Sequence, residues 1–511
     1  MIKKLLKKLF IYNIDCIFVC EQLNIKIMCK SNLKIGWLLF LPFMLGSCSQ
    51  NDEFDKEDVS GAKDRKLLEL SVPEYLSIAY DSENNELSNE EATNILKEFV
   101  YSSVETRGTT AQLTFNVNKE YYLNTTNSRS SLKQPIKIVE FTIGNETRNG
   151  STSVGFASVV ADKRFPNVLA YSPNGNVAEI EEYGAGIMMK RAQNVAQNYI
   201  SQVEHYQDSL RDRTVEKVCT ILGVKNFSFE KVENSLVLEE DTKIEDLDNL
   251  IESRGSAVNP SGTPIATIGP LINERLQWIQ GWPQNQFIKE CSKEDLNYWP
   301  SINYGGKYPA GCTAVAAASI LTYLKPTIYS NDLGRNVDWS TALSNPVIDW
   351  FTSATDSYVI EAAAILKEVS VNIGTTYNHE GGSASAEGVR SYFGKLGIAM
   401  DGKSALNYFT IRPSIGAYRP VLLTGACRSI SRAEYTNGRH AWTMDGIKIV
   451  KRTVTSRIEL AQYNNYGYCH FGWVFGGGNG WYLFDSDGGI TFDYGGDKYD
   501  IDLAAYPNIR K

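Results

Sequence analysis

Apolar residues recur along this chain with two periods, and each period predicts a different kind of element. Between Glu86 and Tyr101 they fall at helical spacing behind Ser and Asn caps and early glutamates, which predicts a helix. From Ile136 to Ile143 apolar and polar residues alternate, as in a half-buried strand. Ser153 to Val160 and Asn167 to Tyr171 read as two further strands, with turn chemistry at Asp162-Lys163 and at Pro173-Asn174-Gly175-Asn176. A long helix is predicted from Ile187 to about Leu210, with His205 on its surface. Ala314, Ala317, Ala318, Leu321 and Leu324 then repeat at helical spacing behind Cys312, and the run ends before Pro326. The other positions of that run are nearly as apolar, so this helix is expected to be buried on most sides. Pro420 to Thr424 reads as a buried strand. His440 to Gly446 alternates, placing His440, Trp442 and Met444 on one face and an Asp-Gly turn at the end. Tyr468 to Trp481 is dense in aromatics and glycine, which predicts a strand, a tight turn and another strand.

The 511 residues leave room for about three domains, and an ordinary composition, 43% hydrophobic and 22% charged, points to a globular chain. A net charge of −8 argues against nucleic acid as a partner, because phosphate binding needs a basic face. Residues Ile35 to Leu45 form an apolar run preceded by Lys30 and Lys34 and closed by Leu45-Gly46-Ser47-Cys48, a signal-peptide layout. The run is short for a bilayer span, although a retained anchor helix is the alternative. Residues 1–47 are therefore expected to be a signal peptide, with Met28 as a candidate true start. Residues 48–60 make a polar, acidic tether. Residues 61–250 form a first folded region, and 251–264, rich in Ser, Gly and Pro, an exposed joint of the kind proteases nick. Residues 265–511 form the second folded region.

Candidate chemistry concentrates in this second region. A thiol at a helix N-terminus feels the positive end of the dipole, which favours the nucleophilic thiolate. Cys312 stands at such a position, though an inert core cysteine is the plain alternative. Any histidine-dependent mechanism must use His205, His379, His440 or His470. The nine cysteines show no CxxC pair and no metal-type spacing, so neither a metal nor another cofactor is expected. His440 follows a loop and lies 128 residues after Cys312. Gln280, in Trp278-Ile279-Gln280-Gly281-Trp282, is either an amide donor to a developing oxyanion beside the Cys312 N–H or a surface glutamine beside two packed tryptophans.

These motifs, in this order, resemble the streptopain family of papain-like cysteine peptidases over about residues 270–490. They are Trp-x-Gln at Trp278, Gly311-Cys312 opening a helix, the His440-Ala441 strand, and the Trp/Gly-rich stretch around Trp473. Val337-Asp338-Trp339 and the loop Tyr377 to Ala386 also resemble family segments. The strand Val154 to Ala157, the turn Asp162-Lys163-Arg164 and the strand Ala170 to Ser172 are similar to the family's prodomain. Leu45-Gly46-Ser47-Cys48 looks like a bacterial lipobox, and the acidic tether resembles the export signal of some Bacteroidetes lipoproteins.

The resemblance implies an α+β fold: a two-lobed peptidase domain, with a helical lobe carrying the cysteine and a β lobe carrying the histidine, preceded by a smaller α+β prodomain. It implies Cys312 as nucleophile, His440 as general base and Gln280 as oxyanion donor. Trp473 would shield the site, and Gly381, Gly382 and Ser383 would line the substrate cleft. Cys48 would be lipidated, anchoring the chain to the outer membrane, surface-exposed or released after maturation. Its partners would be protein or peptide substrates, the membrane, and its own prodomain as inhibitor. Three residues depart from the family: Arg439 where glycine is common, Gln284 where an aromatic is common, and Gly472 where a side-chain amide would orient the histidine. Gly472 and Arg439 motivate the alternative of a catalytically impaired surface lipoprotein that binds peptides or proteins.

Overall fold

The computed structural model describes residues 67–80, 84–104, 113–123, 132–146, 152–173, 184–238, 263–299, 301–379, 381–426, 439–453, 461–472, 478–487 and 503–511. The signal-like run, Cys48, the acidic tether, residues 251–262 and Trp473 lie outside them. Among the described residues no helix is long and apolar enough to cross a membrane. The architecture is α+β, the class that the resemblance implies.

A ten-stranded sheet forms the frame, and all its pairings are antiparallel. In spatial order it runs Ala504–Tyr506, Val421–Ala426, Arg439–Thr453, Ala461–His470, Gly480–Asp487, Val168–Ser172, Thr152–Val160, Ile136–Glu146 and Leu113–Leu123. The tenth strand, Thr263–Ile268, pairs with Ile447 to Lys451 of the long histidine-bearing strand and takes up the last two residues of the expected joint. The sheet therefore crosses from the second region into the first without a break, at Trp481 opposite Tyr171 and Tyr482 opposite Ala170.

Helices cover this frame in two groups. Val72–Ile78, Asn89–Val104 and Gly184–Leu222 share an apolar cluster with Val450, Tyr466, Tyr468, Trp481 and Leu483 of the sheet. Val72–Ile78 starts on a capping box, in which Ser71 and Glu74 each bond the other's backbone N–H. The helices Cys312–Leu324, Ser357–Asn372 and Ala386–Lys395 build a second cluster, in which every residue from Thr313 to Thr322 is buried. That burial explains why the cysteine helix is apolar on nearly all sides.

Two expectations need correction. The helix predicted from Ile187 to about Leu210 runs from Gly184 to Leu222, because Val215 and Val218 keep packing on the same cluster after the polar stretch at Asp208 to Arg213. Asp445-Gly446 is not a turn. The strand continues to Thr453, and Asp445 is the residue skipped as the pairing moves from Met444–Cys469 to Gly446–Tyr468. An Asp-Gly pair serves a bulge as well as a turn, since both use an extra residue beside a glycine. The Asp162-Lys163-Arg164 turn has a further role, since buried Arg164 holds both oxygens of Asp162 and reaches Glu204 at 2.7 Å.

Lys448, on the histidine-bearing strand, is fully buried, with its nitrogen 4.2 Å from the ring centre of Phe99 and 4.7 Å from that of Trp481. Burial pulls its pKa down to about 7. From there to the ordinary lysine range, near about 10.4, the unfolded chain holds a proton that the folded chain has lost. Lys448 therefore makes stability rise with pH across that window, by at most about 1.4 kcal/mol per pH unit. Lys448→Met is expected to flatten this rise, read as the change in urea midpoint between about pH 7 and 9. The same slope in both proteins would contradict it.

Candidate active site

The cysteine helix begins where the backbone leaves no room for a side chain. Gly311, its N-cap, has φ +94°, and a Cβ there would strike the carbonyl oxygen of Gly382. Cys312 is the first helical residue and is half-buried, at the end where backbone N–H groups lack intrahelical partners. Hydrogen bonds donated by the strand Arg439–Thr453 tie the helix to it. The Ala441 N–H donates to Cys312 Sγ at 3.4 Å, and Thr443 Oγ1 donates to the Ala316 carbonyl at 3.1 Å. Four residues of helix rise about 6 Å and two residues of strand about 7 Å, so both bonds form in one register.

That register brings His440 to the thiol. Its ring is 7% exposed and hydrogen-bonded to Cys312. It lies nearly parallel to the Trp442 ring, with centres 6.1 Å apart. His440 Nε2 lies 3.1 Å from the Phe471 carbonyl oxygen. A carbonyl only accepts, so Nε2 carries the hydrogen, which leaves Nδ1 for the thiol. Burial alone would push the Cys312 thiol up. The charge and hydrogen bond of His440, the Ala441 N–H and Thr313 outweigh it and hold the thiol below its usual range. Cys469, fully buried and near the Asp445 carboxylate, is pushed well above that range.

The acceptor on His440 answers the gap that the sequence shows at Gly472. Gly472 has φ +74°, and a Cβ there would lie 2.6 Å from Val315 Cγ1 on the cysteine helix. No side-chain amide fits at 472 with this backbone, and a main-chain carbonyl one residue earlier takes the position. The Phe471 N–H donates to Asn479 Oδ1 at 2.8 Å, and Asn479 Nδ2 donates to the Leu276 carbonyl at 3.4 Å. Asn479 is buried, so these bonds have little competition from water. Sequence reasoning missed Phe471 and Asn479. The only available signal was the glycine itself.

Gln280 is brought alongside, its carbonyl accepting the Ala310 N–H at 2.9 Å, two residues before Cys312. Buried Gln284 accepts the Ile279 N–H at 2.7 Å and so braces this loop. A phenylalanine or tryptophan side chain has no acceptor for that bond. Asn285 donates to the carbonyls of Tyr304 and Tyr308, joining the loop to the approach to Cys312.

The Gly381–Ser383 strand pairs with Thr376–Asn378 and packs its backbone on the same approach. A Cβ on Gly382 would lie 2.6 Å from the Pro309 oxygen and 2.8 Å from that of Ala310. The structure thus gathers Cys312, His440, Gln280, Gly381 and Gly382 in one place, with Ser383 exposed beside them. His379 is exposed at the tip of this hairpin, its ring 5.6 Å from that of Tyr298. His205 is exposed on the long helix. His470 is engaged elsewhere, buried with Nε2 3.3 Å from Asp445 Oδ1.

A half-buried thiol hydrogen-bonded to an imidazole whose other nitrogen is fixed can exchange a proton with that imidazole and attack an electrophile. Alkylation of Cys312 by iodoacetamide, followed peptide by peptide, should therefore persist at pH values below the usual thiol range. In His440→Ala the midpoint should move up, because burial then dominates. An unmoved midpoint would mean that the imidazole does not set the thiol's ionisation. Gly472→Ala should destabilise the protein by about 1–3 kcal/mol in urea unfolding, through the strained φ and the overpacked Val315. A neutral substitution would show that the backbone there has room to move.

No protein-family model matches the chain, and no curated protein matches it.

Proposed function

We propose that this protein is a cysteine endopeptidase with a papain-like peptidase domain, made as a zymogen and exported as a lipoprotein anchored to the outer membrane through Cys48. The observation that carries the reading is the half-buried Cys312 thiol at a helix N-terminus, hydrogen-bonded to His440, whose Nε2 is held by the Phe471 carbonyl. The resemblance of the ordered motifs to streptopain-type peptidases supports it.

In this mechanism the Cys312 thiolate attacks the carbonyl carbon of a peptide bond in a protein or peptide substrate. The developing oxyanion takes hydrogen bonds from the Cys312 N–H and the Gln280 side-chain amide. Protonated His440 then gives its Nδ1 proton to the leaving amine, and a thioester links the acyl fragment to Cys312. Water, deprotonated by His440, releases the acyl fragment as a carboxylate and restores the thiol. Gly381, Gly382 and Ser383 line the cleft, the family resemblance gives Trp473 the shielding role, and no cofactor takes part. The Phe471 carbonyl fixes the tautomer of His440, the duty that a side-chain amide serves in the family. Its presence weighs against the alternative of a peptide-binding lipoprotein with an impaired site, which rests on Gly472 and Arg439.

Residues 49–511 should process themselves between about residues 252 and 264 and form a thioether with a thiol-directed epoxide inhibitor. Both behaviours should vanish in Cys312→Ala and in His440→Ala, while His379→Ala keeps a measurable rate. Wild type that neither matures nor reacts with the epoxide would sink the enzyme. Loss in His379→Ala with retention in His440→Ala would mean that the base is misassigned.

A further inference from the structure

The boundary between the N-terminal region, residues 68–238, and the C-terminal region, from Thr263 onward, is built as a protein interior. Val168–Ser172 is an inner strand of the shared sheet, paired on one side with Thr152–Val160 and on the other with Gly480–Asp487. Gly480 is a glycine for this reason, since a Cβ there would strike the Tyr171 carbonyl oxygen. Polar groups across the boundary are matched. Ser172 Oγ donates to the Asn479 carbonyl at 2.6 Å, Tyr466 Oη to the Val168 carbonyl at 3.0 Å, and Asn464 Nδ2 to Asn167 Oδ1 at 2.8 Å. Arg191 Nε reaches the Phe484 carbonyl at 2.9 Å.

The apolar groups are shared as well. Tyr466, Tyr468, Trp481 and Leu483 are buried in a cluster that otherwise belongs to the N-terminal region, apart from Val450. Phe156, Ala170, Ala185, Ile187 and Met188 are buried in a cluster that otherwise belongs to the C-terminal one. Removing residues 68–238 would bare these aromatics and unpair the edge of Gly480–Asp487 at Trp481 and Tyr482, both of which a water-exposed surface tolerates poorly. By contrast, among the described residues the cluster around the cysteine helix contains none before Ile272. The described part of the N-terminal region is docked on the sheet and does not contribute to the apolar packing behind Cys312.

The boundary also touches the site through one chain of bonds. Ser172 holds the main chain of Asn479, whose side chain holds the Phe471 peptide, whose carbonyl holds His440.

We propose that the N-terminal region is a permanent partner of the C-terminal region. Hydrolysis of a peptide bond between Leu238 and Thr263, which consumes one water and leaves a carboxylate and an amine, yields two chains that stay together as one molecule. The N-terminal chain supports His440 from behind. The occurrence of that cut in nature rests on the peptidase reading, whereas the persistence of the complex does not.

The test uses the full chain with Cys312→Ala and a recognition sequence for an unrelated site-specific protease placed between Asp241 and Gly262. After complete cleavage, shown on a denaturing gel, both fragments should co-elute in native size-exclusion chromatography at the mass of the intact chain. They should still do so after dilution to nanomolar concentration. Separation of the fragments would overturn the proposal.

A second measurement needs no insertion. Urea unfolding of the intact chain should give one transition, coincident for intrinsic fluorescence and far-ultraviolet dichroism. Two resolved transitions would overturn the proposal equally. Failure of the peptidase reading would appear elsewhere, as wild type that leaves an epoxide unreacted while its nicked form still co-elutes.

Discussion

The contact between the N-terminal end of the helix Cys312–Leu324 and the start of the strand Arg439–Thr453 is the constraint on which the rest depends. Helix and strand repeat at different rises, so they match over a limited stretch, and here it spans Cys312 to Ala316 against Ala441 to Thr443. One bond ends on the thiol and the other on a main-chain carbonyl a turn later. A slide of one residue along the strand would turn His440 to the opposite face, because side chains alternate. The positions of thiol and imidazole are thus set by packing far larger than the two groups. The cost of holding a reactive pair half out of water is borne by a helix buried along nearly its whole length.

Asp445 extends the same logic to Gln280. As the extra residue of a bulge, it turns its carboxylate into the interior, where an unpartnered charge would cost several kcal/mol. The carboxylate accepts the Ile272 N–H at 2.6 Å and faces His470, while its main-chain oxygen accepts the Leu271 N–H. The segment leading to Gln280 is therefore pinned to the strand that carries His440. A few residues on, it meets the approach to Cys312 through the bond between Ala310 and Gln280. Thiol, imidazole and the Gln280 main chain come from three distant parts of the sequence and are tied to one strand.

Local features were legible in the sequence because local rules generate them. The period behind Cys312, the alternation at His440 and the strands around Asp162 to Arg164 each follow from spacing within about fifteen residues. What joins them was not. The pairing of Tyr171 with Trp481 spans more than three hundred residues, and nothing within either strand names its partner. Asp445-Gly446 carried a turn signal, yet the strand ran on because Ile447, Ile449 and Val450 had apolar neighbours to pack against. Gln284 looked like a departure from an aromatic position, and only the fold reveals the N–H that it satisfies.

Gly472 shows most clearly where reading by letters stops. A missing side-chain amide is visible in a sequence, whereas a main-chain carbonyl that replaces it has no letter. Replacement also changes which residues matter. A side-chain acceptor is specified at its own position, but a peptide acceptor is specified by whatever fixes the peptide plane. Here these are the positive φ of Gly472, the Val315 methyl that excludes a Cβ, and the Asn479 amide that grips the neighbouring N–H. The oxygen itself survives any single substitution, since every residue has one. Its aim does not, because a peptide that rotates by a few tens of degrees carries the oxygen off the imidazole axis and weakens the bond steeply. The aim of the acceptor on the histidine thus depends on three residues, and the nearest strand of the N-terminal region contributes to it through Ser172 and Asn479.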